Sequence, residues 1–135
     1  MLVNETKIKV QYYETDQMGV VHHSNYIRYF ETGRTELMRN AGLSYKDLEV
    51  SGSIMPIISV EVRYLSPAYY DDVICIKSFI SEMPKARITF NYEIYNEQEK
   101  LLATGSTTLA FVNKETGRPQ RTPELMMQAL SEYFK

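Results

Sequence analysis

Apolar and polar residues first alternate over Lys7-Ile8-Lys9-Val10-Gln11-Tyr12, where Ile8, Val10 and Tyr12 share one face. That period of two predicts a half-buried strand. After Ser24 the period lengthens. Ile27, Phe30, Arg34, Leu37, Met38 and Ala41 recur at spacings of three and four, which predicts a helix from about Asn25 to Asn40 with one buried stripe. Ser24 or Asn25 can cap its start, and Gly42 can close its end. Gly33 in mid-helix costs about 1 kcal/mol relative to alanine. Close approach of the helix backbone to a covering sheet would account for it. A short helix, Tyr45 to Glu49, is expected behind a Ser44 cap.

From Ile54 the period returns to two. Ile58, Val60, Val62 and Tyr64 alternate with Ser59, Glu61 and Arg63, and Pro67 and Asp71-Asp72 end that strand. Val73 to Ile80 forms the next, ended near Pro84. Ile88, Phe90, Tyr92 and Ile94 alternate with Thr89, Asn91 and Glu93, Asn96 to Lys100 reads as a hairpin turn, and Leu101 to Val112 is the last strand. Thr122-Pro123-Glu124 opens a terminal helix, with proline at the first helical position. Strand, long helix, four consecutive strands and terminal helix predict an α+β fold. One antiparallel, strongly twisted sheet wraps the long helix in a single domain over residues 1–135.

Composition narrows the function classes. The 135 residues are 24% charged and 44% hydrophobic, a globular balance, and the formal charge of −2 gives no general pull toward nucleic acid or anionic lipid. A phosphate-rich ligand therefore needs a local basic cluster. Cys75 has no second cysteine to pair with and lies in the apolar run Val73-Ile74-Cys75-Ile76, so a small buried hydrophobe is expected. Asn4, Glu5, Lys7 and Lys9 interrupt any N-terminal apolar region, and no run approaches the roughly 20 apolar residues that span a bilayer. A cytoplasmic protein without a membrane span is the expectation.

The chemistry concentrates in Tyr13-Glu14-Thr15-Asp16-Gln17-Met18-Gly19-Val20-Val21-His22-His23-Ser24-Asn25-Tyr26. This stretch sets a carboxylate and two imidazoles beside a helix start, where unpaired N–H groups can hold a developing negative charge. Such an arrangement suits acyl transfer. On the residues alone, Asp16 reads first as a turn aspartate bonding its own backbone before Gly19. A metal site is not expected, because adjacent histidines rarely converge on one ion and there is no third.

The segment Thr15 to Tyr26, the helix run Tyr29-Phe30-Glu31-Thr32-Gly33-Arg34, and Val62-Arg63-Tyr64-Leu65-Ser66-Pro67-Ala68-Tyr69-Tyr70-Asp71-Asp72 together resemble the hot-dog fold acyl-CoA thioesterases, in particular the 4-hydroxybenzoyl-CoA thioesterase-like family. The resemblance covers nearly the whole chain. It implies a curved antiparallel sheet wrapped around a central helix. It also implies a homodimer joined edge to edge, often paired into a homotetramer, with active sites at the subunit interface. The substrate it implies is an acyl-CoA, whose coenzyme A is part of the substrate, so no separate cofactor is expected.

Residue by residue, the resemblance makes Asp16 the catalytic carboxylate, as general base or as nucleophile, and makes the backbone N–H at His23 the oxyanion donor. Gly19, Val20, Val21 and His22 surround the substrate. Asn25 and Tyr26 shape the acyl pocket or orient Asp16, or alternatively cap and pack the helix. Glu31 and Glu36 are helix carboxylates; some other hot-dog thioesterases use a helix glutamate, but here Glu31 reads as structural support. Arg63, Lys85, Arg87 and Arg118 are candidates for the CoA phosphates, with Lys114 and Arg121 behind them. Tyr69 and Tyr70 can stack on adenine or pack an edge between subunits.

Two other activities fit the same fold. An enoyl-CoA hydratase or dehydratase pairs a carboxylate with a histidine, although the Asp-x-Asn-Pro motif expected of that class is absent. A non-enzymatic acyl-CoA binding module would bind without turnover.

Overall fold

The computed structural model describes residues 1–135. Strand β1 (Leu2–Lys9) leads through a 3-10 turn (Tyr12–Glu14) to helix α1 (Asn25–Asn40). Then come α2 (Tyr45–Val50), the two-residue β2 (Ser53–Ile54), β3 (Ile57–Tyr64), β4 (Val73–Ile80), β5 (Arg87–Tyr95), β6 (Leu101–Asn113), the short β7 (Pro119–Gln120) and α3 (Glu124–Leu130). All pairings are antiparallel, in the spatial order β1-β4-β5-β6-β3, with β2 and β7 pairing the far end of β6. No helix is long and apolar enough to cross a membrane.

The sheet wraps α1. The inward rows Ile74, Ile76, Ile80, Ile88, Phe90, Tyr92, Ile94 and Leu109 are buried against Tyr26, Tyr29, Phe30, Leu37 and Met38. Phe30 and Tyr92 stack at 4.2 Å between ring centroids. Gly33 sits where helix and sheet come closest, and a Cβ built there would overlap Ser78 Oγ and Ile76 Cγ2. The close approach expected from the sequence is therefore present. Gly33→Ala is expected to lower stability by about 1–3 kcal/mol through overpacking, despite alanine's better helix propensity; urea unfolding of the two proteins measures it.

The end of α1 and the start of α2 follow local chemistry. Gly42 takes φ +87°, its N–H bonds Arg39 O, and the Leu43 N–H bonds Met38 O, which closes α1 with a left-handed glycine cap. Ser44 accepts the Asp47 N–H, and the Asp47 side chain returns a bond to the Ser44 N–H, capping α2.

Five expectations need correction. The first strand runs Leu2–Lys9 instead of Lys7–Tyr12, and Tyr12 is 77% exposed in the 3-10 turn. The reason is local: Gln11 and Glu14 form a capping box that turns the chain after Val10. Ile27 leaves the buried stripe of α1 and is exposed; Tyr26 and Tyr29 take its place. Pro123 is the residue before α3 and not its first helical position. Cys75 is half-buried on the outer face of the sheet, because Ile74 and Ile76 take the inward positions. Burial, then Glu5, raises its thiol pKa despite Lys7 and Lys77, which disfavours the thiolate.

The fifth correction concerns β3. Its alternating face is uncovered over its first half, where Ile58 is 45% and Val60 39% exposed, and only Val62 packs against the core. Strand β3 is at an edge, and α1 packs on β1, β4 and β5 instead.

Candidate active site

Residues 14–22 form a small hairpin ahead of α1. Thr15 bridges Val21, Asp16 N–H donates to Val20 O at 2.8 Å, and His22 N–H donates to Glu14 O at 2.9 Å. The tip closes by Gly19 N–H to Asp16 O at 3.0 Å, with Gly19 at φ +78°, a left-handed conformation that glycine adopts without strain. Segment 66–72 clamps the hairpin from behind. Val21 N–H donates to Ala68 O at 2.8 Å, Val20 bridges Tyr69, and Val10 exchanges backbone bonds with Asp71 and Asp72. The second sequence motif is thus the seat on which the first is held.

Asp16 is exposed. Its Oδ1 accepts the Met18 N–H at 2.8 Å and, more weakly, the Val20 N–H at 3.4 Å. The turn bonding anticipated for a bland aspartate is present, and it occupies only one carboxylate oxygen. The other faces outward without a protein donor, available to a water or a carbonyl carbon.

The returning leg carries the helix start. His22, Ser24, Asn25 and Tyr26 each donate their backbone N–H within the chain: to Glu14 O, His22 Nδ1, His22 O and His23 O. The His23 N–H has no acceptor. It is the one unpaired amide of this run, beside the positive end of a helix of 16 residues. Asp16 and His23 are separated by three positions along the hairpin leg (Asp16 faces Val20). At no more than about 3.3 Å per residue, that leg spans at most roughly 10 Å, because it bends into a turn at His23. A carboxylate, a water, a reacting carbonyl and an N–H donor fill such a gap in series, each contact being about 3 Å.

Asn25 and Tyr26 are both engaged within the chain. Asn25 is buried, and its Nδ2 donates to Glu14 O at 2.8 Å and His22 O at 3.4 Å, tying the two hairpin legs to the helix. Tyr26 is buried with edge contacts to Tyr29 and Tyr64. Ser24 does not cap the helix by its side chain; its Oγ lies 2.8 Å from His22 Nδ1. Glu31 is on the solvent side of α1, and Glu36 pairs with Arg39.

Two contributors went unread in the sequence. Glu14 is buried; its Oε1 accepts the Gln11 N–H, and its carbonyl is the anchor for His22 and Asn25. The Gln-x-x-Glu spacing is a capping-box signal that could have revealed it. Burial next to Glu14 raises the pKa of the Tyr29 hydroxyl strongly, so it stays protonated. The second contributor, Tyr64, donates its hydroxyl to His23 O.

The basic candidates do not gather around Asp16 within one chain. Tyr64, which touches His23, pairs with Ala103 on β6, whereas Arg87 pairs with Ala110. That difference of seven positions along β6 is roughly 23 Å at the strand rise of about 3.3 Å. Lys85 lies beyond Arg87, where its carbonyl accepts the Thr122 N–H at 2.7 Å, and Arg118 closes the turn after β6, its carbonyl accepting from Asn113. Both are at that far end. Lys114 is paired with Glu49. Arg63 is near the Tyr64 end, on the outer face of the sheet, in register with Thr104 and Glu93.

Residues 10–130 match the thioesterase-like superfamily. The chain belongs to that superfamily. It is 33% identical to the DHNA-CoA thioesterase of Staphylococcus aureus, with a TM-score of 0.92 over 98% of this chain and 91% of that one. YneP of Bacillus subtilis (strain 168) is 33% identical over 119 residues, 88% of this chain and 86% of that protein. The acyl-CoA thioester hydrolase YbgC of Escherichia coli O157:H7 is 28% identical over 117 residues, 87% of each. The hot-dog thioesterase fold expected from the motifs is therefore established, with its helix start and Asp16 loop in the predicted place.

Proposed function

We propose that this thioesterase-superfamily chain is an acyl-CoA thioesterase that hydrolyses an acyl-CoA to a carboxylic acid and coenzyme A. The observation that carries the reading is the unpaired His23 N–H at the start of α1, on the same hairpin as the outward carboxylate oxygen of Asp16. The His23 N–H receives the thioester carbonyl oxygen. Asp16 takes a proton from a water that attacks the carbonyl carbon; the C–S bond then breaks and the CoA thiolate leaves. In the alternative route Asp16 attacks, the thiolate leaves, and water opens the resulting anhydride. In either route the oxyanion is held by a backbone donor, so the His23 imidazole is not the group that stabilises it. DHNA-CoA thioesterase and YbgC, both similar to this chain, act on CoA esters by name.

The site is completed by a second copy. Asp16 and His23 lie on the open surface of a single chain. Of the two sheet edges, β1 exposes Glu5, Lys7 and Lys9, which guard an edge against pairing, whereas β3 exposes Ile57, Ile58 and Val60. Antiparallel pairing of β3 with a second β3 lays the Tyr64 end of one chain beside the Ile57 end of the other. Since Ile57 pairs with Leu109, the other copy's Lys85, Arg87 and Arg118 come to this chain's Asp16. A homodimer of this kind, alone or doubled to a homotetramer, supplies the phosphate contacts that one chain lacks. A cytoplasmic setting, where acyl-CoAs are at hand, suits the reading.

Thiol release from short, medium, long and aromatic acyl-CoAs tests the proposal. The wild-type protein is expected to release thiol from at least one class. Absorbance loss from an enoyl-CoA without thiol release would point to the hydratase reading, and tight binding without either reaction to a binding module.

A further inference from the structure

Tyr64 is the last residue of β3 and is half exposed. Its hydroxyl donates to His23 O at 3.2 Å, and its ring meets Tyr26 edge-on at 5.1 Å and His23 at 6.4 Å between centroids. His23 O also accepts the Tyr26 N–H at 3.2 Å. The other half of that peptide is the Ser24 N–H, which donates to His22 Nδ1 at 3.2 Å, where Ser24 Oγ also lies at 2.8 Å. A ring nitrogen that accepts an amide carries no proton, so neutral His22 holds its proton on Nε2. Hydrogen bonds in series polarise one another, so the Tyr64 hydroxyl on the carbonyl strengthens the Ser24 N–H as a donor to His22. Residue 23 is thereby fixed from both sides. Its preceding peptide is held at His22 O, which accepts the Asn25 N–H at 3.0 Å and, more weakly, Asn25 Nδ2 at 3.4 Å, and its following peptide is held by Tyr64 and Tyr26.

We propose that Tyr64 is a positioning residue: from the edge strand β3, its hydroxyl fixes the His23–Ser24 peptide, and with it the unpaired His23 N–H and the Nε2–H form of His22, in the arrangement that receives the thioester. This rests on the thioesterase reading above. Tyr64 is also the point at which the pairing edge touches the helix start, so the strand that joins two copies sets the oxyanion donor directly.

Tyr64→Phe keeps the ring contacts and removes only the donor. It is expected to lower kcat roughly three- to tenfold, the range of one neutral hydrogen bond, with KM within about twofold. In nitrogen NMR of the imidazoles, His22 Nδ1 and Nε2 move toward each other as the tautomers mix, and the His23 amide resonance shifts. Incorporating 3-fluorotyrosine at position 64 preserves ring and hydroxyl and makes the hydroxyl a better donor; it retains the wild-type kcat and His22 spectrum. An unchanged kcat in Tyr64→Phe overturns the proposal, and so does a loss of rate with the His22 and His23 resonances unmoved. If wild type itself releases no thiol from any acyl-CoA, the thioesterase reading fails. The nitrogen spectra of wild type and the two variants then decide whether Tyr64 sets the helix start.

Discussion

Asp16→Asn is expected to release thiol from acyl-CoA at least a hundredfold more slowly than wild type while unfolding at the same denaturant concentration. The asparagine carbonyl can still accept the Met18 N–H, so the turn at the hairpin tip survives. The residue is exposed and packs against nothing that the change would disturb, so stability should move by less than about 0.5 kcal/mol. What is lost is the charge on the outward oxygen. An amide neither takes a proton from water nor attacks a thioester, and general-base assistance alone is worth about 10²–10⁴ in rate. The His23 N–H remains, so residual turnover reports what the oxyanion donor achieves unaided. Steady-state thiol release with a urea titration of both proteins makes the measurement. Equal rates would remove Asp16 from the chemistry. Glu31, the other carboxylate considered, would then have to act from the solvent side of α1, away from the hairpin.

The second large effect is a recovery. Arg87→Ala combined with Arg118→Ala should raise KM for acyl-CoA by about tenfold or more, since each lost contact to a phosphate is charge-assisted. Mixed with Asp16→Asn chains by unfolding and refolding together, this variant is expected to regain activity that neither parent has at low substrate. A mixed pair contains one site with an intact Asp16 from one chain and intact arginines from the other. With random pairing, half the dimers are mixed and half of their sites are whole, so roughly a quarter of wild-type activity returns. The geometry behind this is the distance along β6 between the positions facing Tyr64 and Arg87. Absence of any recovery would mean that each chain holds a complete site and that β3 does not join copies in this way.

Much of the fold was legible because it is written in local rules. The glycine at 42 and the serine at 44 mark helix ends by backbone chemistry, and Gly33 announced the contact with Ser78 and Ile76. The strands β4 and β5 were legible because a clean alternation separates an apolar inward row from a polar outward one. The first half of β1 was not. It pairs in full register with β4, yet its inward positions include Asn4 and Thr6, which bond each other at 3.0 Å and so hide the period of two. The pattern of β3 could be read but its burial could not, because its own chain covers that face only toward Val62 and Tyr64 and leaves Ile58 and Val60 exposed. At the site, the spacing of Asp16, Gly19 and His23 was enough to find the loop. That only one amide there would lack a partner depended on Glu14, whose carbonyl accepts from His22 and Asn25 across the hairpin. The basic residues failed for a different reason: a sequence shows that Arg87 and Arg118 are charged, but only strand register shows at which end of the sheet they stand.

The seating of the 14–22 hairpin on residues 66–72 also bears on how the chain can change in length. The bonds from Val10 to Asp71 and Asp72, and from Val21 to Ala68, fasten two segments far apart in sequence at matched positions. A single inserted residue between them would slide one against the other and carry Asp16 out of line with the helix start. The turn at Asn96–Lys100, which closes on its own backbone and on the Asn96 side chain, holds nothing else. Homologous chains should therefore vary freely in length at the second turn and hardly at all at the first, and a peptide tag grafted at Gln98 would ride on the molecule without being felt by the chemistry.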